Sequence, residues 1–198
     1  MKTLPLTREQ AWELVKKYNS HEQDLNHYLE SEAIMRQLAK YLGLGKEEIE
    51  YWGMLGLLHD VDWGITKDNV KTHLTKAPEI LKEAGFDSEF IETILSHGYG
   101  FEELPHLAQE TRREKIEHAL AASETITGLV HSYALMRGSK VSDMDSAGLK
   151  KKFKDKAFAR ALNREIMSEA EKLGLTLDEF FGIAIEGIKN IKDEVGLK

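Results

Sequence analysis

Cysteine is absent from this chain of 198 residues, which excludes disulfides, thiol nucleophiles and metal sites built on thiolate. A transition metal would therefore have to bind to histidine and carboxylate groups. The sequence also lacks any apolar run near the roughly 20 residues that a membrane-spanning helix requires. Its first residues lack the apolar stretch of a signal peptide. We therefore expect a cytoplasmic protein that is neither exported nor embedded in a membrane.

Positive charge is in deficit, with 27 Lys and Arg residues against 34 Asp and Glu residues and a net charge of −7. Such a surface repels polyanions, so we expect no binding to long nucleic acid or to anionic membranes. A small anion bound at a local cation remains compatible with this charge. The hydrophobic fraction of 41% and the charged fraction of 31% are typical of a globular protein. The length favours a single core.

Strict alternation of apolar and polar residues is also missing, whereas apolar residues recur at helical spacing, so we predict an all-α fold. Thr7 with Gln10 and Thr176 with Glu179 read as capping boxes that open the first and last helices. The intervening helices are predicted over about residues 22–42, 46–59, 70–84, 87–97, 109–136 and 147–173.

The dipeptide His59-Asp60 closes the apolar run Gly53–Val61. Burying such a polar pair is costly unless a partner such as a divalent cation binds both groups. Gly53 and Gly56 thin this helix, which allows another backbone to approach it. Further histidines fall on the apolar stripes of other predicted helices: His27, His73 and His97.

Each of these histidines, taken alone, could be a core residue bonded to a carbonyl or carboxylate group. Together they predict a metal site with one or two ions, because several imidazoles from separate helices converge with a carboxylate.

The order of these residues resembles the HD-domain superfamily of metal-dependent phosphohydrolases, over about Asp24 to Leu135. The segment THLTKAPEILKEAGF, followed by Ile-Leu-Ser-His97, is similar to the HDIG-type subgroup. The resemblance implies an HD-domain helical bundle with additional C-terminal helices. It places the metal-binding domain in residues 1–140 and an extension packed on the same core in residues 141–198.

By resemblance, a single ion would be held by His27, His59, Asp60 and a carboxylate near position 124. His73 and His97 would bind a second ion, and Asp60 could bridge the two ions. The resemblance implies divalent ions, drawn from Mn, Fe, Co, Ni, Zn and Mg.

The chain departs from the family pattern at two places. Glu124 stands where such proteins generally have Asp, and it reaches one methylene further. It lies at the margin of its helix face, so it could instead be a solvated glutamate, with His131 on the same margin as a weaker substitute. Gly98 follows His97 where some relatives with two ions have a second histidine.

The implied activity is hydrolysis of a small phosphorylated compound, a nucleotide or phosphomonoester, by water that the metal activates. Asp60 would act as a ligand, and Asp62 could orient water or carry a proton, or else cap a turn. Four cations are candidates for binding phosphate, although any one of them is more readily explained as a surface residue: Lys67, Lys76, Arg137 and Lys140.

Two other functions stay open at the level of sequence. The ligand pattern also resembles that of some HD-domain proteins that bind two irons through four histidines and two carboxylates, which implies a non-haem di-iron oxygenase as an alternative. A degenerate metal-binding sensor would fit the replacement of Asp by Glu124.

The C-terminal extension contains one strongly basic run, KKKFKDKAFARALNR. We expect its charged residues to form the solvated face of a helix whose buried face contains Phe153, Ala157, Phe158 and Ala161. Alternatively, the run could bind phosphate groups. The extension could also form a homodimer contact.

Overall fold

The computed structural model describes residues 3–198, and its regular structure in that range is entirely helical. The α-helices are α1 (Arg8–Tyr18), α2 (Glu22–Tyr41), α3 (Lys46–Leu58), α4 (Trp63–Thr66), α5 (Ala77–Glu83), α6 (Ser88–Ser96), α7 (Lys115–Met136), α8 (Ser146–Lys154), α9 (Arg164–Met167) and α10 (Leu177–Lys189). Short 3-10 helices span Lys67–Thr72 and Ser168–Leu173. The predicted all-α fold is confirmed. None of the helices in residues 3–198 is both long and apolar enough to cross a membrane.

The first and last helices begin where their capping residues predict. The backbone N–H of Gln10 donates to the Thr7 hydroxyl over 3.3 Å, and the Gln10 side chain accepts from the Thr7 N–H over 2.8 Å. Thr176 and Glu179 form the same pair of bonds at the start of α10. Both predicted capping boxes are confirmed, since each satisfies N–H groups that have no partner inside the helix.

Helix α2 lies at the centre of the bundle and packs against α3, α7 and α10. Two glycines let neighbouring helices approach its backbone. A Cβ atom on Gly56 of α3 would lie 2.6 Å from the carbonyl oxygen of Ser31, and one on Gly187 of α10 would lie 3.0 Å from that of Ala33. The close approach predicted at Gly56 is therefore confirmed, whereas Gly53 lies under the side chain of Arg36.

The predicted helix over residues 70–84 is wrong in its first half. Residues 67–72 form a 3-10 helix, His73 is extended with φ −55° and ψ 140°, and α5 begins only at Ala77. Pro78, at the start of α5, explains the difference, because proline has no N–H to donate and fits only the first turn of a helix. His73 therefore lies in a loop rather than on a helical stripe.

The predicted helix over residues 147–173 is broken into α8, a loop, α9 and a 3-10 turn. The Asp155 carboxylate accepts from the backbone N–H groups of Ala157 and Phe158, which folds the chain away from helix. Ala157 and Ala161 are consequently exposed rather than buried as expected. Similarly, α7 begins at Lys115 rather than near Gln109.

Arg164 stabilises the loop that follows α8. Its guanidinium group donates to the backbone carbonyls of Phe153, Asp155, Phe158 and Leu162, over 2.6 to 3.4 Å. The loop is therefore wrapped around a single cation. This arrangement fixes its far end, where Ala161 and Asn163 lie.

The helices after residue 140 pack on the same core as those before it. One continuous hydrophobic cluster contains Leu38 and Leu55 from the first part of the chain and Phe180 and Ile188 from the last. The division at residue 140 stays a prediction, but the extension contributes to the bundle itself.

A salt bridge ties this extension to the end of α6. Arg112 donates two hydrogen bonds of 2.7 Å to the Glu169 carboxylate, and its remaining nitrogen donates to the carbonyls of Ser96, His97 and Tyr99 over 2.8 to 3.3 Å. His118 lies 2.6 Å from the same carboxylate. The C-terminal extension thus helps to fix the backbone of His97.

Replacing Gly56 by Ala is expected to destabilise the protein by about 1–3 kcal/mol, because the new Cβ would force α3 away from the Ser31 carbonyl. Urea denaturation would measure the change. The matched control is Gly182→Ala in α10, where a Cβ meets no atom within 4 Å. That variant should gain about 0.5–1 kcal/mol. Equal effects of the two substitutions would contradict the close approach of α2 and α3.

Replacing Glu169 by Gln is expected to cost about 2 kcal/mol of stability at pH 7, since it weakens a charged hydrogen-bond network. Burial alone would raise the pKa of Glu169, but hydrogen bonds from Arg112 and His118 outweigh it and lower the pKa below 4.5. The stabilisation is therefore present above about pH 4.5 and is lost as the pH falls through the lowered pKa of the folded state.

Urea denaturation of both proteins across this range should show the difference shrinking in acid. The exposed Glu171 provides the control substitution Glu171→Gln. A stability difference for Glu169→Gln that is independent of pH would show that its charge is not involved.

Candidate metal centre

His59 caps the C-terminal end of α3 and is completely buried. Its Nδ1 atom lies 2.8 Å from the carbonyl oxygen of Gly56, and since a carbonyl can only accept, Nδ1 carries the proton. The Nε2 atom is therefore left with a lone pair. Burial lowers the pKa of His59 to about 3, which keeps the ring neutral near pH 7.

His27 reaches the same point from α2. Its Nδ1 lies 2.8 Å from the Thr127 hydroxyl, whose own proton is donated to the carbonyl of Glu124 over 2.6 Å. Nδ1 of His27 must therefore be the donor, and its Nε2 lies 3.0 Å from Nε2 of His59. Two lone pairs that face each other repel unless a cation or a proton lies between them.

His97 and His73 face one carboxylate oxygen of Asp60, Oδ1, whereas His27 and His59 face the other, Oδ2. The Nε2 atoms of both rings lie 3.1 Å from Oδ1 of Asp60, yet this buried oxygen has no partner with hydrogen-bond geometry in residues 3–198. Nδ1 of His97 lies 2.7 Å from the carbonyl of Ile94, which again fixes its Nε2 as the atom with the lone pair.

The result is two groups of possible ligand atoms that share one carboxylate. His27, His59 and Asp60 form the first group, and Asp60, His73 and His97 form the second, with the ligand atoms of each group within 4.8 Å of one another. The structure therefore brings together five of the six predicted ligands.

The charges in this cluster depend on one another. Burial alone would raise the pKa of Asp60, but His59, His73 and His97 lower it well below its usual range. Burial likewise opposes charge on His73, but Asp60 and Asp62 outweigh it and raise its pKa to about 10. Asp60 is thus a full anion.

Asp62, predicted to orient water or carry a proton, is completely buried. Its carboxylate accepts backbone N–H groups from Leu74, Lys76 and Ala77 over 3.0 to 3.2 Å, and Oδ1 also lies 3.2 Å from Nδ1 of His73. This matches the alternative in which Asp62 caps a turn. The turn needs such support because Leu74 has a φ of +66°, which a non-glycine residue rarely adopts.

Two residues that sequence reasoning missed hold the His59-Asp60 turn in place. The buried amide of Asn19 donates to the carbonyl of Val61 over 3.1 Å, and its oxygen accepts the N–H of Gly64 over 2.7 Å. The Tyr28 hydroxyl lies 2.8 Å from Asn19 Oδ1 and 3.0 Å from the carbonyl of Asp60. The residues around Asn19 in the sequence give no signal of this role, because its partners Val61 and Gly64 are distant in the chain.

Glu124, the predicted sixth ligand, lies beside both groups without joining either one. Burial raises its pKa, while the nearby His97 and His27 oppose this shift, and the Thr125 hydroxyl donates to its carboxylate. His131, the weaker substitute, instead pairs with Glu30 at 2.6 Å. The role of Glu124 as a ligand stays a prediction.

Glu124 lies where two cavities meet. The front cavity, of about 390 Å³, contains Asp60, His73, His97 and Glu124 in its wall. The middle cavity, of about 310 Å³, contains His27, Glu124 and Thr127. Phe101, Ala161 and Asn163 line both cavities, so the loop held by Arg164 forms a wall common to the two.

None of the four predicted phosphate-binding cations lines the front or the middle cavity. Lys67 pairs with Asp24 at 3.3 Å, and Arg137 pairs with Asp143 at 2.8 Å. Lys76 and Lys140 are exposed. The structure does not bring these cations to the metal centre, and their role in binding substrate stays a prediction.

The arrangement of donors fits a divalent metal ion. Three rings, His27, His59 and His97, have Nδ1 held by an oxygen and Nε2 free, which is the arrangement that metal-binding histidines generally show. The unpartnered Oδ1 of Asp60 lies 3.1 Å from Nε2 of His97 and of His73. Histidine nitrogen and carboxylate oxygen suit first-row transition metals.

Comparison with known proteins supports the interpretation of this site. No curated protein and no solved structure matches the chain. The sequence does match the HD domain family over residues 24–126, just over half of the chain, while the HDIG-type subgroup stays a prediction. The matched region includes His27, His59, Asp60, His73, His97 and Glu124. HD domains bind divalent metals and generally hydrolyse phosphate compounds, and this chain belongs to the HD domain family.

Proposed function

We propose that this protein is a phosphohydrolase with two divalent metal ions that cleaves a small phosphorylated compound. The observation that carries the proposal is the position of Asp60, whose Oδ2 faces His27 and His59 and whose Oδ1 faces His73 and His97. A carboxylate shared in this way suits two neighbouring cations. His27 and His59 would hold one ion, His73 and His97 would hold the other, and Asp60 would contribute to both sites.

Bound divalent ions would lower the pKa of water so that hydroxide is available to attack phosphorus as the bond to the leaving alcohol oxygen breaks, and they would offset negative charge on the phosphoryl oxygens. The chain supplies the geometry. Carbonyls of Gly56 and Ile94 and the hydroxyl of Thr127 fix three imidazole rings, and Asp62 positions the loop of His73. Glu124 lies at the junction of the cavities and would complete the ligand set or hold a water molecule.

The size of the cavities favours a small substrate. Volumes of about 390 and 310 Å³ lie in the range of sites for small molecules. Asp60, His73 and His97 line the front cavity, so a phosphate group could reach the ligands from there. The net charge of −7 is consistent with a small phosphate ester rather than long nucleic acid.

Metal content tests the site directly. The purified chain should hold about two ions, and His73→Ala should reduce this to about one, because the first ligand group would remain intact. Inductively coupled plasma mass spectrometry would give the count. The exposed His106 supplies the control His106→Ala, which should retain both ions. A single ion in the parent, unchanged in His73→Ala, would contradict the second site.

Activity tests the reaction class. Asp60→Asn should release phosphate from a panel of nucleotides and phosphomonoesters about a hundredfold more slowly than the parent, because the shared ligand loses its charge. His106→Ala should keep the parent rate. Iron with oxygen consumption and no phosphate release would instead indicate an oxygenase. Stoichiometric metal with neither reaction would indicate a sensor.

A further inference from the structure

A third cavity, the rear cavity, of about 300 Å³, adjoins the middle cavity. The two share His27, Thr127 and Gly128 as lining residues, so a ligand at the metal centre could extend from one into the other. The rest of the rear wall belongs to α2 and α7 and includes side chains that the proposed reaction does not use: Gln23, Asn26, Glu30, His131, Ser132 and Leu135.

Glu30 and His131 form the fixed part of this wall. The Glu30 carboxylate is 3% exposed and lies 2.6 Å from Nδ1 of His131, whose side chain is 27% exposed. Since Nδ1 is engaged, Nε2 is the ring atom that remains for a ligand. The hydrogen bond to Glu30 raises the pKa of His131, which favours the form in which Nε2 carries a proton. With His131 protonated, the pair has no net charge.

The other polar side chains of the wall are free to bind. Gln23, Asn26 and Ser132 make no side-chain hydrogen bond within residues 3–198, and each offers both donor and acceptor atoms. A second phosphate dianion would only accept hydrogen bonds, so it could use Nε2–H of His131 but not the acceptor atoms of Gln23, Asn26 and Ser132. Hydroxyl groups both donate and accept, so they match this wall better.

We propose that the rear cavity binds the hydroxylated, sugar-like part of the substrate while its phosphate lies at the metal centre. This rests on the proposed function and narrows it to sugar phosphates and nucleotides. His131 would donate from Nε2 to a sugar oxygen, and Asn26 would contribute its amide. Leu135, which is 54% exposed, gives the cavity an apolar edge for the carbon face of a sugar ring.

Nuclear magnetic resonance of the full chain loaded with Zn²⁺ tests the proposal without requiring turnover. D-ribose, D-ribose 5-phosphate and inorganic phosphate would be titrated separately while the imidazole nitrogen resonances of His131 are followed. Both ribose compounds should shift the Nε2 resonance of His131, and phosphate alone should not. We expect ribose 5-phosphate to bind at least tenfold tighter than phosphate, roughly the effect of one or two hydrogen bonds.

Two variants locate the effect. His131→Gln keeps a donor for Glu30, and Asn26→Ala changes a side chain without internal bonds, so both should fold. Each should reduce the preference for ribose 5-phosphate over phosphate, by about tenfold for His131→Gln, and leave phosphate binding unchanged. The control His106→Ala should keep the full preference.

Equal binding of ribose 5-phosphate and phosphate by the parent, or an unmoved His131 resonance, would overturn the sugar site. A preference that survives His131→Gln and Asn26→Ala would also overturn it. The proposed function fails separately if phosphate does not bind and no ester is hydrolysed. A His131 shift with D-ribose alone would still support the sugar site in that case.

Discussion

The carboxylate of Asp60 and the four imidazoles around it are the constraint on which the rest of the structure depends. Nε2 atoms of His27 and His59 lie 3.0 Å apart, and Oδ1 of Asp60 lies 3.1 Å from those of His73 and His97. Lone pairs and unpartnered oxygen at such distances are costly in a buried site unless cations bind between them. The fold therefore has to hold these groups in a geometry that they would not adopt by themselves.

Surrounding residues supply that restraint through several independent contacts. Gly56 gives α3 its close approach to α2 and offers the carbonyl that orients His59. Asn19 fixes the turn after His59. Arg112 fixes the backbone of His97 and is itself held by Glu169 of the C-terminal extension. The extension also contributes its loop to the cavity walls, so it lines the candidate site as well as packing on the core.

The three cavities give a substrate room beyond the metal-binding residues. The front and middle cavities meet at Glu124, and the middle and rear cavities meet at His27, so the metal centre lies along a continuous set of openings. One end is lined by the histidines of the second ligand group, and the other by the Glu30–His131 pair. Such a layout separates the place where a phosphate would react from the place where the remainder of a substrate would be recognised.

The sequence by itself determined the all-α fold, both terminal capping boxes and the family, because periodicity, caps and the His59-Asp60 pair are local patterns. It also identified the histidines that converge, although it placed His73 on a helix that Pro78 prevents. The family resemblance already implied that Asp60 can be shared by two ions, and the structure places it in both ligand groups. Only the tertiary structure decided that Asp62 caps a turn and that His131 pairs with Glu30. These outcomes depend on hydrogen bonds and ion pairs between residues that are distant in the chain. A local sequence pattern does not contain the information on which distant residues become partners.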